Sequence, residues 1–254
     1  MSPARFGLAL LALAGAALSP VAPSMAADLV GVTDRGEFLY FSDRDPGQAA
    51  RRGLHGTGLP LIGLDVRPAD GRLYGVNQQG AVFVIDPATA IASFRTMMGV
   101  VPSAGGGHLV DFNPAADRLR IVAADGQNLR VDVDTGATAV DRPVAGGARI
   151  AAGAYTNSVR GATRTQLYVI DGASGAYSLM NPPNDGVLQP IAAGGIAADG
   201  ADIASDGTRD AGYAVAGNVL YTFDPATGAA RQVGPIGAGS IGRIIDIAVL
   251  PPRR

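Results

Sequence analysis

Asp224-Pro225-Ala226-Thr227-Gly228 reads as a tight turn, and near copies of it stand at four earlier places. These are Asp43-Arg44-Asp45-Pro46-Gly47, Asp86-Pro87-Ala88-Thr89-Ala90, Asp132-Val133-Asp134-Thr135-Gly136 and Asp171-Gly172-Ala173-Ser174-Gly175. An aspartate at the first position accepts a hydrogen bond from a backbone N–H two residues on. Proline at the second position presets φ, and glycine at the fifth takes the left-handed conformation that ends a short hairpin loop. Ala90 stands in the glycine slot of the second copy, so strain or a different loop geometry is expected there. Short β-rich runs such as Val82-Phe83-Val84-Ile85 and Val219-Leu220-Tyr221-Thr222-Phe223 precede the turns and read as strands. The first and last copies lie 181 positions apart. That is about 45 residues per step, the spacing of propeller blades.

A second marker moves with the first. It is a short apolar strand carrying an aspartate: Gly63-Leu64-Asp65-Val66-Arg67-Pro68, Leu109-Val110-Asp111-Phe112-Asn113-Pro114, Ala201-Asp202-Ile203-Ala204 and Ile245-Asp246-Ile247-Ala248-Val249. In the third unit Ala154 takes the aspartate's slot, within Gly153-Ala154-Tyr155-Thr156-Asn157. The first turn, at Asp43, has no such strand before it, and the last strand, at Asp246, has no turn after it. A unit cut open at the chain ends produces this pattern. The strand Ile244 to Leu250 is therefore expected to pair beside strands near Val30 to Thr33 and Glu37 to Phe41, hiding the edges of an open array. The reading is an all-β fold: a closed β-propeller of about five four-stranded blades. The motifs alone leave four to six open.

Composition narrows the function classes. The chain has 254 residues, 20 basic and 22 acidic, with no Cys, no Trp and two His. Near-balanced charge argues against nucleic acid as a partner. Without Cys there is no disulfide, no thiolate catalysis and no Cys-based zinc site. Arg5, the apolar run Phe6 to Leu18, helix-breaking Pro20 and Pro23, and Ser24-Met25-Ala26 read as a signal peptide cleaved after Ala26. Residues 27–254 are then one propeller domain, periplasmic or secreted, with no membrane span and expected to be a monomer.

The chain resembles a bacterial family of secreted, uncharacterised proteins, family 4394 of the domains of unknown function. The resemblance is carried by Gly63-Leu64-Asp65-Val66-Arg67-Pro68-Ala69, Asp111-Phe112-Asn113-Pro114, Asp117-Arg118-Leu119-Arg120-Ile121-Val122 and Gly126-Gln127-Asn128-Leu129-Arg130. Ala154-Tyr155-Thr156-Asn157, Leu167-Tyr168-Val169-Ile170-Asp171 and Asn181-Pro182-Pro183-Asn184-Asp185-Gly186 follow in the same order. It implies an exported, propeller-like domain and brings no catalytic residues with it.

Comparing the units with one another points to candidate chemistry. Arg120 falls where other units carry Tyr74 and Tyr213, and Arg130 where they carry Val84, Val169 and Thr222. Local rules break most often at functional sites. With Asp111, Asn113, Arg118, Gln127, Asn128, Tyr155, Asn157, Asn181 and Asn184 these arginines make a candidate site for a small polar or acidic, sugar-like ligand. The competing reading makes Arg120 and Arg130 buried struts between blades. The inner-strand carboxylates Asp65, Asp111, Asp202 and Asp246 either ring the channel around a cation or accept backbone N–H groups of the next blade, the commoner role. No metal and no cofactor is expected. The run Gly105-Gly106-Gly107 lacks a phosphate loop's lysine, and no Gly-x-Ser-x-Gly elbow occurs. The expected function is a binding or interaction module without catalysis. Its rivals are a hydrolase or lyase on carbohydrate or lactone, with His108 as a base paired with Asp111, and a structural surface protein.

Overall fold

The computed structural model describes residues 27–252; the expected signal peptide, residues 1–26, lies outside them. Twenty strands form five antiparallel four-stranded sheets. Blade 1 contains β1 (Asp28–Thr33), β2 (Glu37–Ser42) and β3 (Asp45–Gly53). Blade 2 is β4 (Leu61–Val66), β5 (Leu73–Asn77), β6 (Ala81–Asp86) and β7 (Ile91–Met97). Blade 3 is β8 (His108–Asn113), β9 (Arg118–Ala123), β10 (Asn128–Val131) and β11 (Thr138–Val140). Blade 4 is β12 (Ile150–Tyr155), β13 (Leu167–Asp171), β14 (Tyr177–Met180) and β15 (Leu188–Ala192). Blade 5 is β16 (Gly200–Ser205), β17 (Asp210–Ala216), β18 (Val219–Phe223) and β19 (Ala230–Pro235). The innermost strand of blade 1 is β20 (Ile244–Leu250), which pairs antiparallel with β1 from Asp28↔Leu250 to Thr33↔Ile244.

The ring is thus closed by the composite blade that the unpaired motifs implied. Inner strands β20, β4, β8, β12 and β16 each pack against the next around the axis. Their residues are almost wholly buried, whereas outer strands such as β7 and β19 are mostly exposed. Apolar clusters fill the seams between blades. Val30, Phe38, Leu64, Leu73 and Phe83 join blades 1 and 2, and Tyr74, Val76, Val110, Phe112 and Ile121 join blades 2 and 3.

The pentapeptides punctuate the blades as turns. Asp86 accepts Ala88 N–H at 2.8 Å, Asp132 accepts Asp134 N–H at 3.0 Å, and Asp224 accepts Ala226 N–H at 2.8 Å. Ala90 sits in the left-handed region at φ 57° where Gly136 and Gly228 sit at 80° and 71°, so the expected strain is present. Two copies depart from the pattern. Asp43 does occupy a third-to-fourth strand turn, but its carboxylate reaches away, accepting Ala27 N–H at 3.1 Å and the Tyr213 hydroxyl at 3.0 Å. Asp171 joins the second and third strands of blade 4 rather than the third and fourth, which places its turn on the opposite face of the ring. As a result Val169 lies on a second strand and is not the counterpart of Arg130. The Arg120 comparison holds by register: Asp65↔Tyr74, Asp111↔Arg120 and Asp202↔Tyr213.

Candidate functional site

Three positions concentrate polar groups: the axis, the mouth above it, and the seam between blades 3 and 4. At the axis the inner-strand aspartates form a handed belt. Asp202 accepts Val249 N–H at 2.6 Å, Asp246 accepts Leu64 N–H at 3.0 Å, Asp65 accepts Phe112 N–H at 2.7 Å and Asp111 accepts Tyr155 N–H at 2.9 Å. Each carboxylate bonds the backbone of the next inner strand, and Ala154 leaves one link out. Three of them, Asp65, Asp111 and Asp202, bring oxygens within 4.8 Å of one another. Burial, opposed only partly by the backbone donors, pushes Asp202 up to about 6. Burial and neighbouring carboxylates push Asp65 and Asp111 well above the usual range, and burial does the same to Asp246. Like charges this close cannot all ionise, so the belt holds protons at neutral pH.

Above the belt, where the inner strands begin, lies a cavity of about 530 Å³. Leu61, Ile62, His108, Ala151 and Ile245 form its floor, and loops from every blade form its rim. Four charged residues stand on its rim: Asp34 just after β1, Arg149 just before β12, Asp199 just before β16 and Arg243 just before β20. Arg243 is paired with Asp199 at 3.6 Å, and its backbone N–H bonds Asp34 at 3.0 Å. The exposed guanidinium of Arg149 has no hydrogen bond or ion pair with any described residue. His108 is buried, and its Nε2 lies 2.9 Å from the Ser103 carbonyl oxygen. A carbonyl only accepts, so Nε2 carries the proton and Nδ1 is free to accept. Burial lowers the His108 pKa, which keeps the ring neutral at pH 7. No hydrogen bond joins His108 to Asp111.

The third position gathers about half of the residues singled out from sequence. Arg120 is 1% exposed. Its Nε donates to Tyr155 OH at 2.8 Å, Nη1 to Asn128 Oδ1 at 2.6 Å and Asp141 Oδ2 at 2.9 Å, and Nη2 to Asn184 Oδ1 at 2.6 Å. Arg130 adds a two-pronged contact to Asp141, at 2.6 and 2.9 Å, and the two guanidinium groups hold that carboxyl below the usual range against its burial. Asp111 touches this group only through Tyr155's backbone. Asn113 reaches the edge of this group, where its side chain bonds that of Tyr155, and the other candidates lie elsewhere. Asn113 also caps the turn after β8 through Ala115 and Ala116. Arg118 pairs with Asp132. Gln127 binds the mouth loop, accepting Ser103 N–H at 2.7 Å and donating to Val101 O. Asn157 contacts Asp210 and Arg164, and Asn181 bonds Val187 and Gln189 through its backbone.

Sequence reasoning missed Asp141, Arg67 and the mouth arginines. Arg67 clamps blade 2 to blade 3 on the far face, meeting Asp117 at 2.6 Å and Asp134 at 2.9 Å. Its charge and that of Arg95 hold Asp134 down at about 2. The mouth arginines did leave a signal: Arg149-Ile150 and Arg243-Ile244 place a cation directly before an apolar inner strand.

The family model described as Domain of unknown function (DUF4394) matches residues 37–248. The chain belongs to the DUF4394 family. No curated protein matches it. Among solved structures, a structural-genomics protein of unknown function from Bacteroides thetaiotaomicron is similar with a TM-score of 0.56 at 15% identity, over 89% of this chain and 65% of that one. The structure titled U3-55K reaches a TM-score of 0.46 at 14% identity, over 71% of this chain and 54% of its own. The chain therefore spans less than two thirds of either protein's length. At such identities the first likeness speaks for the fold alone, and propellers host many functions.

Proposed function

We propose that this DUF4394 protein is an exported, non-catalytic binding module that takes a small acidic, hydroxyl-bearing molecule, such as an acidic sugar, in the central mouth. The observation that carries the reading is Arg149: a guanidinium at the rim of the 530 Å³ cavity without a partner among the described residues. Cavities of a few hundred Å³ suit small ligands, and an arginine fork matches a carboxylate. The protonated belt below removes most of the negative charge that would repel such a ligand. Neutral His108, with Nδ1 available, supplies an acceptor for a hydroxyl. We assign Arg120, Asn128, Tyr155, Asn184 and Asp141 to a strut between blades 3 and 4, because every donor group of Arg120 already has a protein acceptor. Export follows from the signal-peptide reading of residues 1–26.

Isothermal titration of the mature protein with galacturonate and glucuronate, against galactose and glucose, tests the reading. Binding of the acids, lost in Arg149→Ala and kept in Arg130→Ala, is expected. Equal binding by Arg149→Ala, or turnover of the bound sugar, overturns it.

A further inference from the structure

Four of the five seams between blades are fastened by polar side chains. Arg67 and Arg95 reach Asp134 across seam 2–3, and Arg120 reaches Asn184 across seam 3–4. Tyr177 OH donates to Pro225 O across seam 4–5, and Tyr213 OH to Asp43 across seam 5–1. Seam 1–2 differs. Apart from the Asp246 contact to Leu64 N–H at the axis, no side chain of blade 1 hydrogen-bonds or ion-pairs with blade 2 among the described residues. A cleft of about 950 Å³ opens there. Its walls include the aliphatic side chains of Val66, Leu73, Val84, Ile85, Ile91 and Leu250.

Polar groups without partners meet this apolar space. Tyr40 lines it, and its hydroxyl is buried without a hydrogen bond. Burial pushes that phenol up to about 12, so it is a donor at any ordinary pH. Arg52 and Arg72, both exposed, also line the cleft; neither guanidinium makes a hydrogen bond or close ion pair among the described residues, although the charge of Arg52 is felt by Asp86 and Tyr40. The third arginine, Arg51, is held by Glu37. Of the lining carboxylates, Asp86 is occupied by Ala88 N–H and Thr89 Oγ1 in its own turn, and Asp28 is exposed. The groups left for a ligand are therefore two exposed arginines without hydrogen-bond acceptors beside aliphatic walls, with the unbonded Tyr40 hydroxyl buried in the wall behind them.

We infer that the seam between blades 1 and 2 is a second ligand site, separate from the mouth, that takes an amphiphilic carboxylate with an alkyl body. The chain packs against the aliphatic walls, and the carboxylate meets Arg52 and Arg72 at the cleft's exposed rim. This supplies the polar fastening that the seam otherwise lacks.

The test is titration of the mature protein with decanoate, with decanol as the uncharged control. Saturable decanoate binding is expected, with decanol at least tenfold weaker, since a charge-assisted hydrogen bond contributes enough for about that factor. Arg52→Ala combined with Arg72→Ala should weaken decanoate about tenfold, by the same reasoning. Ser93→Trp, placing a bulky ring at an exposed lining position, should abolish binding without unfolding the protein, as circular dichroism would verify. Arg149→Ala, which removes the cation of the mouth, should leave decanoate affinity unaltered, and a loss there would assign decanoate to the mouth and overturn the inference. Equal affinity for decanol, unaltered binding by Ser93→Trp, or no saturable binding at about 1 mM overturns the inference.

Discussion

Replacing Arg120 by methionine separates a strut from a binding residue. The guanidinium is 1% exposed and donates to four side chains: Tyr155, Asn128, Asp141 and Asn184. Methionine keeps most of the volume and removes every donor. Asp141 retains its two-pronged contact with Arg130, so its charge is not abandoned. Asn128 Oδ1 loses its donor in a buried setting, where an unsatisfied polar group costs about 1–3 kcal/mol, whereas Asn184 is exposed and turns to water. Breaking one side of a buried ion pair costs about 3–5 kcal/mol, and the surviving Arg130 contact places Arg120→Met near the lower end, at about 3 kcal/mol. For a domain of this size that corresponds to a fall in Tm of about 6–12 °C. Arg130→Met is the internal comparison. Its side chain is 34% exposed and Asp141 keeps Arg120, so a loss of about 1 kcal/mol or less is expected. Urea and thermal melts of both variants decide the matter. A cost below about 1 kcal/mol for Arg120→Met, or an equal cost for Arg130→Met, would refute the strut reasoning.

Other expectations follow from the same geometry. The belt carboxyls have folded pKa values raised above the unfolded value, so their contribution to stability is full below pH 4; Asp202's share is lost as pH rises through about 6, and that of Asp65, Asp111 and Asp246, pushed well above the usual range, is lost at higher pH. Asp202 alone accounts for on the order of 3 kcal/mol, so Tm measured from pH 5 to 8 should fall, and Asp202→Asn should flatten the slope. Asp134, held at about 2 by Arg67 and Arg95, acts in the opposite sense but only below pH 4, outside that window. Tyr40→Phe removes a buried hydroxyl that has no partner and should stabilise the unliganded protein by up to about 1 kcal/mol, read in a urea melt; a loss of stability would show that the hydroxyl is satisfied. Ala154→Asp supplies the missing member of the belt but adds a fifth buried carboxyl, so Tm should drop, and more at pH 8 than at pH 5; no pH dependence in the difference would contradict the shared-proton account.

The blade pattern was legible because turn chemistry and apolar alternation are local. Asp86, Asp132 and Asp224 announce their hairpins through side chains that bond two residues on. The displaced copy at Asp171 could also have been read. Its neighbours stand 39 residues before and 53 after, where the other steps are 43 and 46. Arg120 was visible because register places it in a column of tyrosines. Asp141 was not, since it sits in the linker after β11, outside any repeat. The partition of the candidate list has a simple cause. Asn113, Arg118 and Asn157 stand near the ends of strands at turns or loops, where Asn113 caps its own turn, Arg118 pairs with the next hairpin at Asp132 and Asn157 is held by Asp210 of the next blade. Arg149 and Arg243 become neighbours at the mouth only when the ring closes.

That closure rests on β20, whose residues are the last of the described strands to leave the ribosome. Until it arrives, β1 carries an unpaired edge, Leu64 N–H lacks its Asp246 acceptor, and Asp202 has no Val249 N–H to receive. Four complete blades and a partial fifth can form as the chain emerges, but the ring that they belong to cannot. The contact that unites residues more than two hundred positions apart in sequence is also the slowest kind to form. The final described strand is thus a latch in time as well as in space: the central mouth exists as a binding surface only once β20 has emerged and paired with β1.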